Sequence, residues 1–195
     1  MDETQRLFIA IDLSPDVRRW LEKARSVLEP GMPAGAVRWV DPQGIHITLK
    51  FLGEVAVNRI DGVRAAMGQA VSGVSPFLLT VEGLGCFPNT ARPRVVWAGV
   101  RAEPKLIGIQ KRLEDILSAT GFPRERRAFS PHLTLGRVKD GANENQLQRI
   151  GAAVESARME TPAGMEAGGL CLFRSILRPS GAEYSVLYRA EISGR

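Results

Sequence analysis

Cysteine occurs only twice in these 195 residues, at Cys86 and Cys171, too sparsely for a disulfide framework. Histidine is just as scarce, with His46 and His132 alone. No apolar run approaches the roughly 20 residues of a membrane span. The polar, acidic start from Met1 to Gln5 lacks the apolar segment of a signal peptide. A cytoplasmic protein without membrane contact is the expectation. The chain has no Cys-x-x-Cys, no His-Glu-x-x-His and no compact Asp/Glu cluster beside either histidine. Two histidines alone do not complete a tetrahedral zinc site. Without a Walker glycine loop, bound ATP is not suggested either. Neither metal nor cofactor is expected.

What remains is globular. Hydrophobic residues make up 44% and charged residues 24%, which excludes disorder, collagen and coiled coil as whole-chain states. The length suits one domain, residues 1–195, built as two lobes sharing a core. Lysine and arginine outnumber aspartate and glutamate, 26 to 21, for a net charge of +5. That balance leans towards an anionic partner such as nucleic acid or a phosphate ester, but weakly.

The chain reads twice. Arg6 to Leu13 is dense in apolar residues and predicts a strand. Ser14-Pro15 then opens a helix carrying Val17, Leu21, Ala24 and Leu28. A Pro/Gly-rich loop leads to a strand from Gly44 to Leu52, a helix from Arg59 to Val71 and a strand from Phe77 to Phe87. The second half repeats that order: strand Arg94–Val100, helix Lys105–Thr120, a loop, strand His132–Gly136, helix Asn143–Arg158 and a strand near Ala167–Phe173. A final strand covers Glu183–Ile192. The histidines are 86 residues apart (132 − 46) and the cysteines 85 (171 − 86). A duplication explains both offsets. It also puts the cysteines in different lobes, as buried small residues and not as a disulfide.

Each histidine opens a matching motif, His46-Ile47-Thr48-Leu49 and His132-Leu133-Thr134-Leu135. On a strand, alternate side chains share a face. Ile45, Ile47 and Leu49 therefore point away from His46 and Thr48, just as Leu133 and Leu135 oppose His132 and Thr134. A lone His-x-Thr is unspecific. Two copies at the repeat distance, using the only histidines, point to one cleft with a His-Thr pair on each side. An imidazole is base or acid near neutral pH. One neutral and one protonated histidine across a phosphodiester can activate a nucleophile and protonate a leaving oxygen. Threonine hydroxyls can donate to the non-bridging oxygens.

These motifs, with Arg6 to Leu13, Lys50-Phe51-Leu52-Gly53-Glu54-Val55, Leu84-Gly85-Cys86-Phe87-Pro88, Gly136-Arg137, Ser175-Ile176-Leu177 and Gly181-Ala182-Glu183-Tyr184, resemble the 2H phosphoesterase superfamily. The likeness is to its RNA 2′,3′-cyclic phosphodiesterase group, also called 2′-5′ RNA ligases. The resemblance implies an α+β, bilobal, pseudo-two-fold duplicated fold, with antiparallel sheets lining a central cleft and helices outside. It implies hydrolysis of RNA 2′,3′-cyclic phosphate ends to 2′-phosphates, and reversible ATP-independent 2′-5′ joining, tRNA fragments included. Apart from the resemblance, a monomer is expected. The resemblance makes His46 and His132 catalytic, His46 as acid and His132 as base. Thr48, Thr134 and Arg137 become phosphate contacts. An RNA-end-binding protein with little catalysis is one rival. A 2H enzyme acting on a small cyclic nucleotide such as ADP-ribose cyclic phosphate is the other.

Arg137 is out of phase with His132 and Thr134, so it reaches the cleft only through a bulge or turn at Gly136. Arg124, Arg126 and Arg127 are candidate RNA-backbone contacts, and Arg92 and Arg94 weaker ones. Phe8 and Phe129 are candidate base-stacking residues, each equally able to be core. Phe51 has the parity of Ile47 and Leu49 and is expected in the core. Ser175 and Tyr184 match the family tail without an assigned role.

Overall fold

The computed structural model describes residues 3–178 and 181–194; Met1 and Asp2, the first residues of the polar start, lie outside them. Its strands are β1 (Thr4–Ile11), β2 (Val37–Trp39), β3 (Ile47–Ala56), β4 (Phe77–Phe87), β5 (Val95–Val100), β6 (His132–Val138), β7 (Ala163–Ala167), β8 (Gly169–Arg178) and β9 (Gly181–Glu191). The helices are α1 (Pro15–Leu28), α2 (Ile60–Val71), α3 (Pro104–Ala119) and α4 (Glu144–Ser156). Helix starts follow local chemistry. Ser14 Oγ accepts from the Val17 amide and Pro15 opens α1, while Asn143 and Gln146 close a reciprocal capping box on α4.

All pairing is antiparallel, in two sheets ordered β3-β1-β8-β9 and β2-β6-β5-β4-β7. The duplication shows in this order, because β3-β1-β8-β9 corresponds to β6-β5-β4-β7. The third strand of each set comes from the other half of the chain: β4 completes the second sheet and β8 the first. Cys86 on β4 and Cys171 on β8 thus lie in different sheets, buried and free. Helices α2 and α3 pack on the first sheet, and α1 and α4 on the second. One continuous core, including Leu7, Ile9, Val17, Leu21, Ile47, Leu113 and Leu133, fills the space between helices and sheets.

Some expected boundaries move. The strand expected from Gly44 begins at Ile47, because Asp41 caps a single 3-10 turn over Pro42–Gly44, its side chain accepting from the Gln43 amide. It runs past Gly53, whose φ of 71° bends the strand without ending it. β2 was hidden in the Pro/Gly-rich loop; at three residues it carries no readable alternation. The single strand expected near Ala167–Phe173 is two, β7 and β8, divided at Gly168 where the chain passes from one sheet to the other.

Candidate active site

β3 packs against β6, so the strands carrying the two His-Thr pairs meet at the seam between the sheets. His46 stands at the entry to β3, straight after the 3-10 turn. That turn is clamped by Arg18 of α1, which donates to the carbonyls of Pro42 and Ile45 and pairs with Asp12. The His46 ring lies on an aromatic floor. Phe8 stacks against it at 4.5 Å between centroids, Phe173 lies at 5.6 Å, and Tyr184 meets it edge-on at 5.2 Å. Burial among these rings pushes the His46 pKa down to about 4, against smaller upward pulls from a Gly44 backbone hydrogen bond and Asp12; Arg18 lowers it further.

His132 opens β6. Its Nδ1 lies 2.7 Å from the Ser130 carbonyl oxygen, so Nδ1–H donates and the Nε2 lone pair is left for chemistry. Phe87 meets the ring edge-on at 4.9 Å. The two settings correspond: Gly44 and Ser130 each lie two residues before their histidine, and Phe87 and Phe173 are 86 apart (173 − 87). Each histidine therefore meets a phenylalanine from the crossed-over strand, His46 stacked and His132 edge-on. Thr48 pairs with Ala10 and Thr134 with Trp97 in the ladders, both half-buried on the histidine side.

Two bulges set the direction of the side chains beyond the threonines. On β6 the pairing passes from Thr134–Trp97 to Gly136–Val96, skipping Leu135. Alternation then resumes one residue late, and Arg137 comes out exposed on the face of His132 and Thr134, as the out-of-phase spacing required. Gly136 allows this, since a Cβ there would fall 2.7 Å from Val37 on the neighbouring β2. On β3 the pairing passes from Thr48–Ala10 to Lys50–Ile9, skipping Leu49. The expectation that Phe51 is core is therefore wrong: the same slip makes it 60% exposed, while Lys50 turns inward. Buried Lys50 donates to Glu114 of α3 at 2.9 Å and to the Pro123 carbonyl. The same Glu114 oxygen accepts from the Glu125 amide. β3 is thus tied to the loop that leads into His132.

The remaining candidates are placed unevenly. Phe8 lies on the His46 side of its sheet, in a small apolar cluster with Ala10, Cys171 and Phe173. It is only 3% exposed, so it supports His46 from below and offers no open face to a base. Phe129 is half-buried against the main core. Arg124 is exposed and paired with Asp115 at 2.7 Å, while Arg126 and Arg127 are exposed on the same loop. Phe51, Phe173 and Arg38 (the β2 partner of Arg137) were not marked as functional. A bulge and a three-residue strand leave no trace in the two-residue period. Burial lifts both thiols, Cys86 to about 11, so neither is a nucleophile at neutral pH. Among the described residues, no three His, Cys, Asp or Glu side chains gather as metal ligands, and no helix is long and apolar enough to cross a membrane.

A duplicated two-sheet fold with one His-Thr pair from each half defines a two-histidine phosphoesterase of the 2H class. The family described as LigT like Phosphoesterase matches twice, over residues 11–97 and 100–184, and the chain belongs to it. The RNA 2′,3′-cyclic phosphodiesterase of Archaeoglobus fulgidus is 35% identical over 93% of this chain and 97% of its own. The protein of the same name from Thermotoga maritima is 32% identical over 97% and 96%. Among solved structures, E. coli LigT complexed with 3′-AMP superposes with a TM-score of 0.75 at 27% identity, over 97% of this chain and 99% of that one. TT0787 of Thermus thermophilus gives 0.73 at 29%, over 96% and 97%.

Proposed function

We propose that this protein hydrolyses RNA 2′,3′-cyclic phosphate ends to 2′-phosphates by acid–base catalysis between His46 and His132. The observation that carries this reading is the repeated setting of the two histidines. Each meets a phenylalanine from the crossed-over strand and has a threonine beyond it on the same face, and His132 is hydrogen-bonded to the carbonyl two residues upstream. RNA-directed relatives that match more than nine-tenths of the chain support the substrate class.

In the reaction a water oxygen bonds to phosphorus and the bond to the 3′-oxygen breaks. His132 takes the proton of the water through Nε2, and His46 supplies one to the departing 3′-oxygen. Thr48, Thr134 and Arg137 hold the non-bridging oxygens, where negative charge gathers. A 5′-hydroxyl in place of water would give a 2′-5′ joint by the same displacement, and its cleavage would exchange the two roles. The lowered pKa of His46 is the one observation that favours the opposite assignment, since a free imidazole near 4 is neutral at pH 7. With His46 as acid, the imidazole takes up a proton from solvent as the anionic phosphate binds, because that charge raises its pKa.

The test is a purified sample offered an RNA oligomer ending in a 2′,3′-cyclic phosphate, with EDTA present. A 2′-phosphate product is expected. A 3′-phosphate product overturns the choice of leaving oxygen, and turnover only after added zinc or manganese overturns the two-histidine scheme. A protein that binds the end but leaves it intact would be an RNA-end-binding module.

A further inference from the structure

Beside the catalytic strand lies a second, strongly cationic depression. A cavity of about 420 Å³ is lined by Arg38, Arg94, Val95, Arg137, Lys139 and Asp140. Arg38 and Arg137 are directly paired across β2 and β6, so their side chains share a face and the positive charge continues outward from the His132 strand. Elsewhere among the described residues arginines pair with acids, for example Arg18 with Asp12, Arg101 with Glu82 and Arg124 with Asp115. Among the described residues, none of Arg38, Arg94, Arg137 or Lys139 forms a salt bridge. Asp140 is the one acidic group in the lining. Four cations gathered around one carboxylate repel one another unless an anion sits between them.

Resting on the hydrolase reading above, we propose that this cavity holds the phosphodiester one nucleotide upstream of the cyclic end. The preferred substrate is then a single-stranded RNA terminus of at least two nucleotides, not a mononucleotide. The argument is one of continuity. Arg137 shares the face of His132 and Thr134 and also lines the cavity. A chain whose terminal phosphate lies at the histidines has its next phosphate within reach of Arg38 and Arg94. The cavity exceeds what one phosphate fills and has room for the adjoining ribose. Guanidinium groups suit this task, because they donate two parallel hydrogen bonds to phosphate oxygens.

Three ligands and one variant test it. The ligands are a mononucleoside 2′,3′-cyclic phosphate, a dinucleotide with the same end, and that dinucleotide with a neutral methylphosphonate linkage. Charge-assisted contacts predict a kcat/KM for the charged dinucleotide about tenfold to a hundredfold above the mononucleotide. The neutral linkage should lose most of that gain. Arg38→Gln should collapse the dinucleotide preference and reduce the salt slope of dinucleotide affinity by about one unit. Mononucleotide turnover by the variant reports its folding. Equal rates on mono- and dinucleotide by the unaltered protein, or a preference that survives Arg38→Gln, overturn the proposal while leaving the hydrolase reading intact. No turnover of any of the three defeats that reading itself. Binding of the 2′-phosphate-terminated dinucleotide against the 2′-mononucleotide then decides the cavity separately, with equal affinities overturning it.

Discussion

Phe51 and Arg137 occupy the same place in the two halves of the molecule. Each lies five residues after its histidine, beyond a strand slip that skips one leucine, exposed on the histidine face. One half of the duplicated site therefore presents an aromatic ring where the other presents a cation. A nucleotide is asymmetric in that sense, with an apolar base on one side of the ribose and phosphate charge on the other. Phe51→Ala should raise KM for a cyclic-phosphate substrate about 5- to 150-fold, the equivalent of about 1–3 kcal/mol of lost stacking, with kcat changed much less. Phe51→Trp should keep the affinity. Because the ring is 60% exposed, the alanine variant should unfold at nearly the same urea midpoint. A large stability loss with unchanged KM would make Phe51 a packing residue only.

His46 links the site to acid stability. In the unfolded chain its pKa is the ordinary 6.5, and in the folded protein burial lowers it to about 4. The unfolded state therefore binds the proton more tightly. The contribution is fully present above pH 6.5 and is lost as the pH falls towards 4, by about 3 kcal/mol in all. Replacement by phenylalanine, which keeps the stack on Phe8 and Phe173, should remove this part of the pH dependence. Urea unfolding of both proteins at pH 7.5 and pH 4.5 measures it, and parallel losses in the two would refute the link.

The four helices, every strand but β2 and the β7–β8 division, both His-Thr pairs and the conditional bulge before Arg137 were legible in the sequence. They rest on periodicity, capping residues and a repeat offset, all of which are local or simple to count. Phe51 was misplaced because parity was carried through Leu49, and a skipped residue reverses every position beyond it. Phe173 and Arg38 were missed for another reason. Their meaning comes from crossed strands: β8 returns to the first sheet to put Phe173 under His46, and β2 pairs with a strand almost 100 residues further on. Nothing in the immediate neighbourhood of either residue records that pairing.

Lys50 and Glu114 form a buried ion pair, with Lys50 only 2% exposed. Burying two charges costs nearly what their attraction returns, but removing one leaves the other stranded. Lys50→Met should therefore lose about 3–5 kcal/mol. The double variant Lys50→Met with Glu114→Leu should recover most of that stability in denaturant titrations. Recovery of stability without recovery of kcat/KM would show that the pair also positions the loop before His132, because Glu114 and Lys50 hold the Glu125 amide and the Pro123 carbonyl. Equal stabilities for the single and double variants would show that no stranded charge is at issue.

In the proposed reaction the similar settings of His46 and His132 do not give them equal roles, because a 2′,3′-cyclic phosphate is asymmetric: one side of phosphorus would receive water and the other would release the 3′-oxygen. Alanine at either position should remove an acid–base contribution of about 10²–10⁴-fold. The double replacement should cost less than the product of the two if they act as a unit. The pH profile of kcat/KM should be bell-shaped, with limbs that belong to the pair. Burial of His46 disfavours its charged form and so draws the acid limb of the pair below 6.5, and Tyr184→Ala, by opening the ring cluster to water, should move that limb upward. Neither result assigns the proton, since the two arrangements of one proton on two histidines share one profile. A substrate with sulfur in place of the 3′-oxygen does assign it. A thiolate leaves with little protonation, so this substrate should largely rescue His46→Ala and leave His132→Ala slow. Rescue of His132→Ala instead would exchange the roles, in keeping with a neutral, buried His46 acting on water. Rescue of neither would mean that leaving-group protonation is not what the histidines contribute.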